Sequence, residues 1–218
     1  HAAKLTPDRT VPVMVLGMIV GTLAVPASQA QTTVGNSPTR VVASDGDYIH
    51  WREHIIDDPE IAGFALSGSD GLVMGDLDRD GRADIVSVHE YDSDYDSAVP
   101  DPDFVPPPAG HVRIAFAGAT PDQWHNVTLA EGTDSPAPED AALGDFNGDG
   151  YLDVVVAAEL SHLIYLQNPG NESTASIRDG NWQRLILPMT QNQGSYIRVF
   201  TADLDGDGSF LGGLSVGG

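Results

Sequence analysis

One acidic pattern recurs three times and limits every other reading of the chain. Asp76-Leu77-Asp78-Arg79-Asp80-Gly81-Arg82-Ala83-Asp84 runs into Ile85-Val86. Asp145-Phe146-Asn147-Gly148-Asp149-Gly150-Tyr151-Leu152-Asp153 runs into Val154-Val155. A third copy, Asp203-Leu204-Asp205-Gly206-Asp207-Gly208-Ser209, keeps the first seven positions but carries Leu211 at the ninth. The copies start at Asp76, Asp145 and Asp203, so the two spacings are similar. Recurrence on this scale marks a structural unit used more than once.

The sequence between the loops repeats as well. Trp51, Trp124 and Trp182 each stand at a similar distance ahead of a loop start (51 to 76, 124 to 145, 182 to 203). Each opens a short apolar run: His54-Ile55-Ile56, Val127-Thr128-Leu129 and Leu185-Ile186-Leu187. Ile85–His89 and Val112–Phe116 fill the first period, Val154–Ala158 and Leu163–Leu166 the second. Leu72–Met74, Ala141–Leu143 and Ile197–Phe200 lead into the loops. Runs of this length, rich in β-branched residues and bounded by Gly, Pro, Asn and Asp, read as strands. No stretch after residue 30 keeps a helical period for ten residues. Four strands per period predict an all-β chain of antiparallel four-stranded blades, as in a β-propeller. A β-sandwich supplies strands too, but not the in-phase return of Trp and the acidic loop. About two full blades plus parts fit residues 31–218, short of a closed ring. Residues 91–110, with their Asp and Pro, read as a surface insertion.

Composition narrows the partners. The chain has 218 residues, 32 Asp and Glu against 10 Lys and Arg, a net charge of −22 and no Cys. Such acidity argues against nucleic acid, which demands basic residues to neutralise phosphate. Lack of Cys excludes a disulfide scaffold, thiolate metal sites and a thiol nucleophile. Lys4 and Arg9 precede the apolar run Val11–Val25, and Pro26-Ala27-Ser28-Gln29-Ala30 follows. That order predicts a secretory signal peptide over residues 1–30. The run is too short for a membrane span. A secreted, periplasmic or cell-surface protein, with no membrane span after cleavage, is the expectation.

The acidic loops have the chemistry of a cation site. Oxygen ligands at positions 1, 3 and 5, a Gly at 6 for the sharp turn and a carbonyl at 7 build a calcium loop. An EF-hand then needs a Glu at position 12, but Ser87, Val156 and Leu214 stand there. Position 9 carries Asp84 and Asp153 instead, and strand formers follow.

Loops of this form, D-x-[DN]-x-D-G-x-x-D followed by β formers, resemble those of the FG-GAP/VCBS repeat family, the integrin-α-like propellers. The resemblance covers roughly Trp51–Gly208. It implies a calcium-binding hairpin between the first two strands of each blade. The implied ligands are Asp76, Asp78, Asp80, the Arg82 carbonyl and Asp84. In the second loop they are Asp145, Asn147, Asp149, the Tyr151 carbonyl and Asp153. The third offers Asp203, Asp205, Asp207 and the Ser209 carbonyl, and its missing ninth ligand predicts an incomplete site. The segment Gly212–Gly218 does not read as a second strand. The resemblance further implies a binding or scaffold module for a protein or glycan ligand, with Ca2+ structural. A closed ring needs four or more blades, so the expectation is either a fragment of a longer protein or a chain that completes its ring with another chain.

A weaker constellation also repeats. Glu90 and Glu159 stand at the same offset from their loop starts (76 to 90, 145 to 159), and His111 and His162 each open the next strand. Asp70 and the Glu139-Asp140 pair belong at the same end of the sheets. Glu with His can ligate metal or move protons. The alternative reading is therefore a propeller-type enzyme, a polysaccharide lyase or hydrolase using Glu90, His111, Glu159 and His162. A repeated turn-stabilising contact explains the same pattern.

Overall fold

The computed structural model describes residues 37–90, 110–159, 162–170, 174–191, 193, 195–204, 206 and 214–216. The expected leader, nearly all of the expected insertion, and Asp205, Asp207 and Ser209 lie outside them. The described residues fall into two compact units, one ending at Glu53 and one beginning at His54.

The first unit contains a hairpin. Strand β1 (Ser37–Val42) pairs antiparallel with β2 (Tyr48–Trp51) across a turn in which Gly46 takes a φ of 93°. Trp51 ends β2 and is 65% exposed. It does not open a strand at His54–Ile56, which carries no regular element. Asp57-Asp58-Pro59 redirects the chain there. The Asp58 carboxylate caps α1 (Pro59–Ala62), accepting from the Glu60 and Ile61 N–H groups, and Pro occupies the first helical turn, where its missing N–H costs nothing.

The second unit holds two four-stranded sheets of one design. In the first, β3 (Gly71–Gly75), β4 (Asp84–His89), β5 (His111–Ala117) and β6 (Trp124–Glu131) lie side by side in chain order. In the second, β7 (Pro138–Gly144), β8 (Asp153–Ala158), β9 (Leu163–Gln167) and β10 (Gln183–Ile186) repeat that order. All pairings are antiparallel. These are propeller-like blades in an incomplete set; the described residues are all-β apart from α1, the one-turn helix α2 (Thr174–Arg178) and short 3₁₀ turns.

A third pair begins another blade. β11 (Arg198–Phe200) pairs antiparallel with β12 (Leu214–Val216). The expectation that Gly212–Gly218 forms no second strand is thus wrong. Leu214-Ser215-Val216 is short, yet it has alternating apolar residues and a partner edge to complete. Its register differs slightly. Val73, three before its loop, pairs with Val86, ten after the loop start; Ala142 and Val155 keep the same offsets. Phe200 pairs with Leu214, eleven after, so the third connection is one residue longer.

The blades pack face to face. Leu77, Val86, Val88, Val112, Ile114 and Phe116 of the first meet Val154, Val156, Ile164, Leu166, Ile177 and Trp182 of the second in one buried cluster. Alternation sends the other β8 and β9 side chains to the opposite face. There Val155, Ala157 and Leu163 pack with Val199 of β11. The second blade is therefore buried on both faces, which is why β8 has no exposed residue. β3 and β7 approach closely: a Cβ on Gly71 would sit 2.6 Å from the Asp140 Cα. Glycine is required there for backbone contact.

The segment before β3 covers part of the first blade's other face. Phe64 stacks on His111 with ring centroids 4.2 Å apart. Arg113 on β5 binds Asp57 through Nε at 2.5 Å and donates to the Thr128 hydroxyl at 2.7 Å. Leu72 and Met74 of β3 remain exposed at 62% and 57%.

Candidate metal centre

Both complete acidic loops join the first two strands of their blades, as the sequence predicts. Their hydrogen bonds correspond one for one. Asp76 accepts from the Asp80 N–H on Oδ1 and the Gly81 N–H on Oδ2, both at 3.0 Å. Asp145 accepts from Asp149 at 3.0 Å and Gly150 at 2.8 Å in the same way. Position 3 accepts from the position 5 N–H: Asp78 from Asp80 at 3.1 Å, Asn147 from Asp149 at 3.0 Å. Position 5 accepts from position 7, Asp80 from Arg82 and Asp149 from Tyr151, each at 2.9 Å. The side chains at 1, 3 and 5 are thereby turned toward the loop's own interior.

Positions 4 and 6 adopt left-handed backbone. Gly81 has φ 86° and Gly150 φ 88°; Gly148 at position 4 has φ 73°. Arg79 takes position 4 of the first loop at φ 61°, a region non-glycine residues seldom adopt. Its guanidinium lies over the Tyr151 ring, 5.1 Å from the centroid. In the third copy, Gly206 at position 4 also has positive φ, 78°, and its N–H donates to Asp203 at 2.7 Å. The other ligands expected of that loop, Asp205, Asp207 and the Ser209 carbonyl, lie outside the described residues.

The position 9 carboxylates do more than the sequence suggests. Asp84 and Asp153 open β4 and β8 with no exposed surface. Asp84 accepts from the Leu77 and Ala117 N–H groups, both at 2.9 Å. Asp153 accepts from Phe146 at 3.1 Å, Asn168 at 2.8 Å and the Tyr165 hydroxyl at 2.9 Å. Each therefore ties its loop to the end of the blade's third strand. Burial pushes Asp84 up to about 6, against the pull of its two N–H donors, and Asp78 and Asp80 add to the rise. Burial also raises Asp153. Tyr165 rises through burial and through its bond to Asp153.

The donor set fits a hard divalent cation. Oxygens of Asp76, Asp78 and Asp84 lie within 4.8 Å of one another. Every donor that either loop offers is oxygen, which suits Ca2+. A bound cation would supply the positive charge that offsets buried neighbouring carboxylates.

The family model described as an FG-GAP-like repeat matches residues 145–210. This segment is similar to an FG-GAP-like repeat. The match takes in the second loop and reaches the third; the first loop lies outside it but shares the second loop's hydrogen-bond pattern. Neither a curated protein nor a solved structure matches the chain.

The second constellation divides. Carboxylate oxygens of Asp70, Glu90 and Glu139 come within 4.8 Å of one another at the end of β3 away from the loop. Glu139 is pushed up to about 7, first by burial, then by the charges of Glu90, Glu159 and Asp70. Glu90 and Glu159 thus both bear on Glu139, whose part the repeat pattern alone left secondary. His111 is buried beside its strand partner His89 and under Phe64. His162 is buried, and burial and the Arg184 charge lower its pKa.

Proposed function

We propose that the chain is an exported, calcium-binding repeat module whose blades present a surface to a protein or glycan ligand. The observation that carries this reading is the matched hydrogen-bond pattern of the two loops. It aims hard oxygens inward twice, and among the described residues no ion pair neutralises Asp145 or Asp149 of the second loop. Ca2+ would be held by Asp76, Asp78, Asp80, the Arg82 carbonyl and Asp84, and by Asp145, Asn147, Asp149, the Tyr151 carbonyl and Asp153. Its chemistry there is charge neutralisation. The chain's own part is to pin each loop through position 9 to the third strand, so that cation binding stabilises the blade as a whole.

Melting of the full chain with and without calcium tests this. At tenfold excess over the dissociation constant, each filled site adds about 1.4 kcal/mol. Extracellular modules bind at roughly 10⁻⁴–10⁻³ M, so millimolar calcium should raise the melting temperature and a chelator should lower it. Asp145→Ala should remove part of that gain. Identical melting in calcium and in chelator would sink the reading. The enzyme alternative has less support, because the acidic group around Glu139 is built from carboxylates while His111 packs against Phe64.

A further inference from the structure

The two loops are not equivalent in what faces them. Arg178 ends α2 in the second blade and reaches a loop one hundred residues away. Its Nε donates to the Asp78 carboxylate at 2.5 Å and its Nη2 to Asp80 at 2.7 Å. The Asp78 side chain is wholly buried and that of Asp80 is 18% exposed. Paired guanidinium–carboxylate bonds of this kind are strong and geometrically specific. The arginine is also held in place. Its guanidinium lies over the Phe116 ring at 5.6 Å. Its carbonyl meets His125 Nε2 at 3.0 Å, and the preceding Ile177 carbonyl accepts the Trp182 indole N–H at 2.9 Å.

The second loop has a neutral group in the corresponding place. The Asn147 amide donates to Asp149 Oδ2 at 3.0 Å. Among the described residues, no ion pair engages Asp145 or Asp149. Admitting a divalent cation to the second loop requires an amide to turn. Admitting one to the first requires Arg178 to leave Asp78 and Asp80, or to stay and repel it, and Arg82, which also pairs with the Asp80 carboxylate, to give up that oxygen. A guanidinium about 5 Å from a divalent ion costs roughly tenfold or more in affinity, even in a water-like dielectric.

We propose that Arg178 is a tethered competitor for the first loop. The second loop fills at lower calcium. The first fills only as Arg178 is displaced, which detaches the end of α2 from the neighbouring blade. Calcium at the first loop therefore exchanges an interblade contact for a metal site. The proposal rests on the calcium reading of the loops.

Calorimetric titration of the full chain with calcium chloride tests it, comparing wild type, Arg178→Gln and Asp145→Ala. The expected result is a tight class that Asp145→Ala abolishes and a class at least tenfold weaker. Arg178→Gln should tighten the weak class about tenfold and leave the tight class alone. If no protein binds calcium, the calcium reading falls and the competition with it. If calcium binds but Arg178→Gln leaves the weak class within twofold, or weakens it, the calcium reading stands and the competition is overturned. Hydrogen exchange on wild type gives a second test that needs no variant. Amides 174–179 should exchange faster once the weak class fills, and unchanged or slower exchange overturns the displacement.

Discussion

The side-chain amide of Asn168 donates to the carbonyl of Leu77 at 2.9 Å, a bond that ties the second blade to the first acidic loop across 91 residues of chain. The same amide donates to Leu152 in the second loop at 3.1 Å. Its oxygen accepts from the Gly170 N–H, and its own N–H donates to Asp153. Asn168 is 1% exposed, so these bonds are made out of reach of water. Asn168→Ala should leave two carbonyls and one N–H without partners. The expected loss is about 2–3 kcal/mol, a fall of roughly 5–10 °C in melting temperature. Denaturant melts read it directly, and a change no larger than that of an ordinary surface substitution, about 0.5 kcal/mol, would refute the role.

Asp153 offers a graded test of the position 9 clamp. Asp153→Ala strands the Phe146 and Asn168 N–H groups and the Tyr165 hydroxyl. It should cost about 3 kcal/mol or more in chelator, where no metal is involved. Tyr165→Phe removes one donor and leaves the carboxylate two others, so it should cost only about 1 kcal/mol. A position 9 residue that served the metal alone would show neither loss in chelator.

The parts of this fold that sequence exposes are local. Val154-Val155-Val156 between Asp153 and Gly170 is a strand on composition, and the loops announce their geometry through alternate Asp and a fixed Gly. What escapes is set by partners distant in the chain. His54-Ile55-Ile56 has the composition of a strand but lies outside any sheet. Leu214–Val216 gains strand form from β11 despite its glycine neighbours. Arg178 and Asn168 give no periodic signal, since their partners lie far off in the chain. Arg178 could have been suspected as one of only ten basic residues in a chain with 32 acidic ones.

The contact between Asp57 and Arg113 predicts how the first blade is covered. Their side chains are 12% and 5% exposed. Asp57→Ala leaves the guanidinium buried without its counter-charge and should cost about 3–5 kcal/mol. Replacing both, with Asp57→Ala and Arg113→Leu, should recover most of that loss, because an apolar pair needs no desolvation. If the double variant is as unstable as the single one, residues 54–64 do not cover β5 through this pair.

Glu139 gives the chain a pH dependence of definite sign. Burial, then the charges of Glu90, Glu159 and Asp70, raise its carboxyl from 4.5 to about 7, and Arg198 opposes them only in part. An acid whose folded pKa is raised holds more protons folded than unfolded, so its charged form burdens the fold as pH climbs from about 4.5 to 7. At pH 8 that burden is complete and worth about 1–2 kcal/mol once water around a half-buried carboxylate is allowed for. Glu139→Gln should therefore melt higher than wild type at pH 8, with the advantage shrinking toward zero by pH 5. His89 and His162, whose pKa values burial lowers, favour the fold at high pH in both proteins and cancel in the comparison. Paired melts from pH 5 to 8 in chelator measure the difference, and a gap that does not change with pH would show that Glu139 ionises freely.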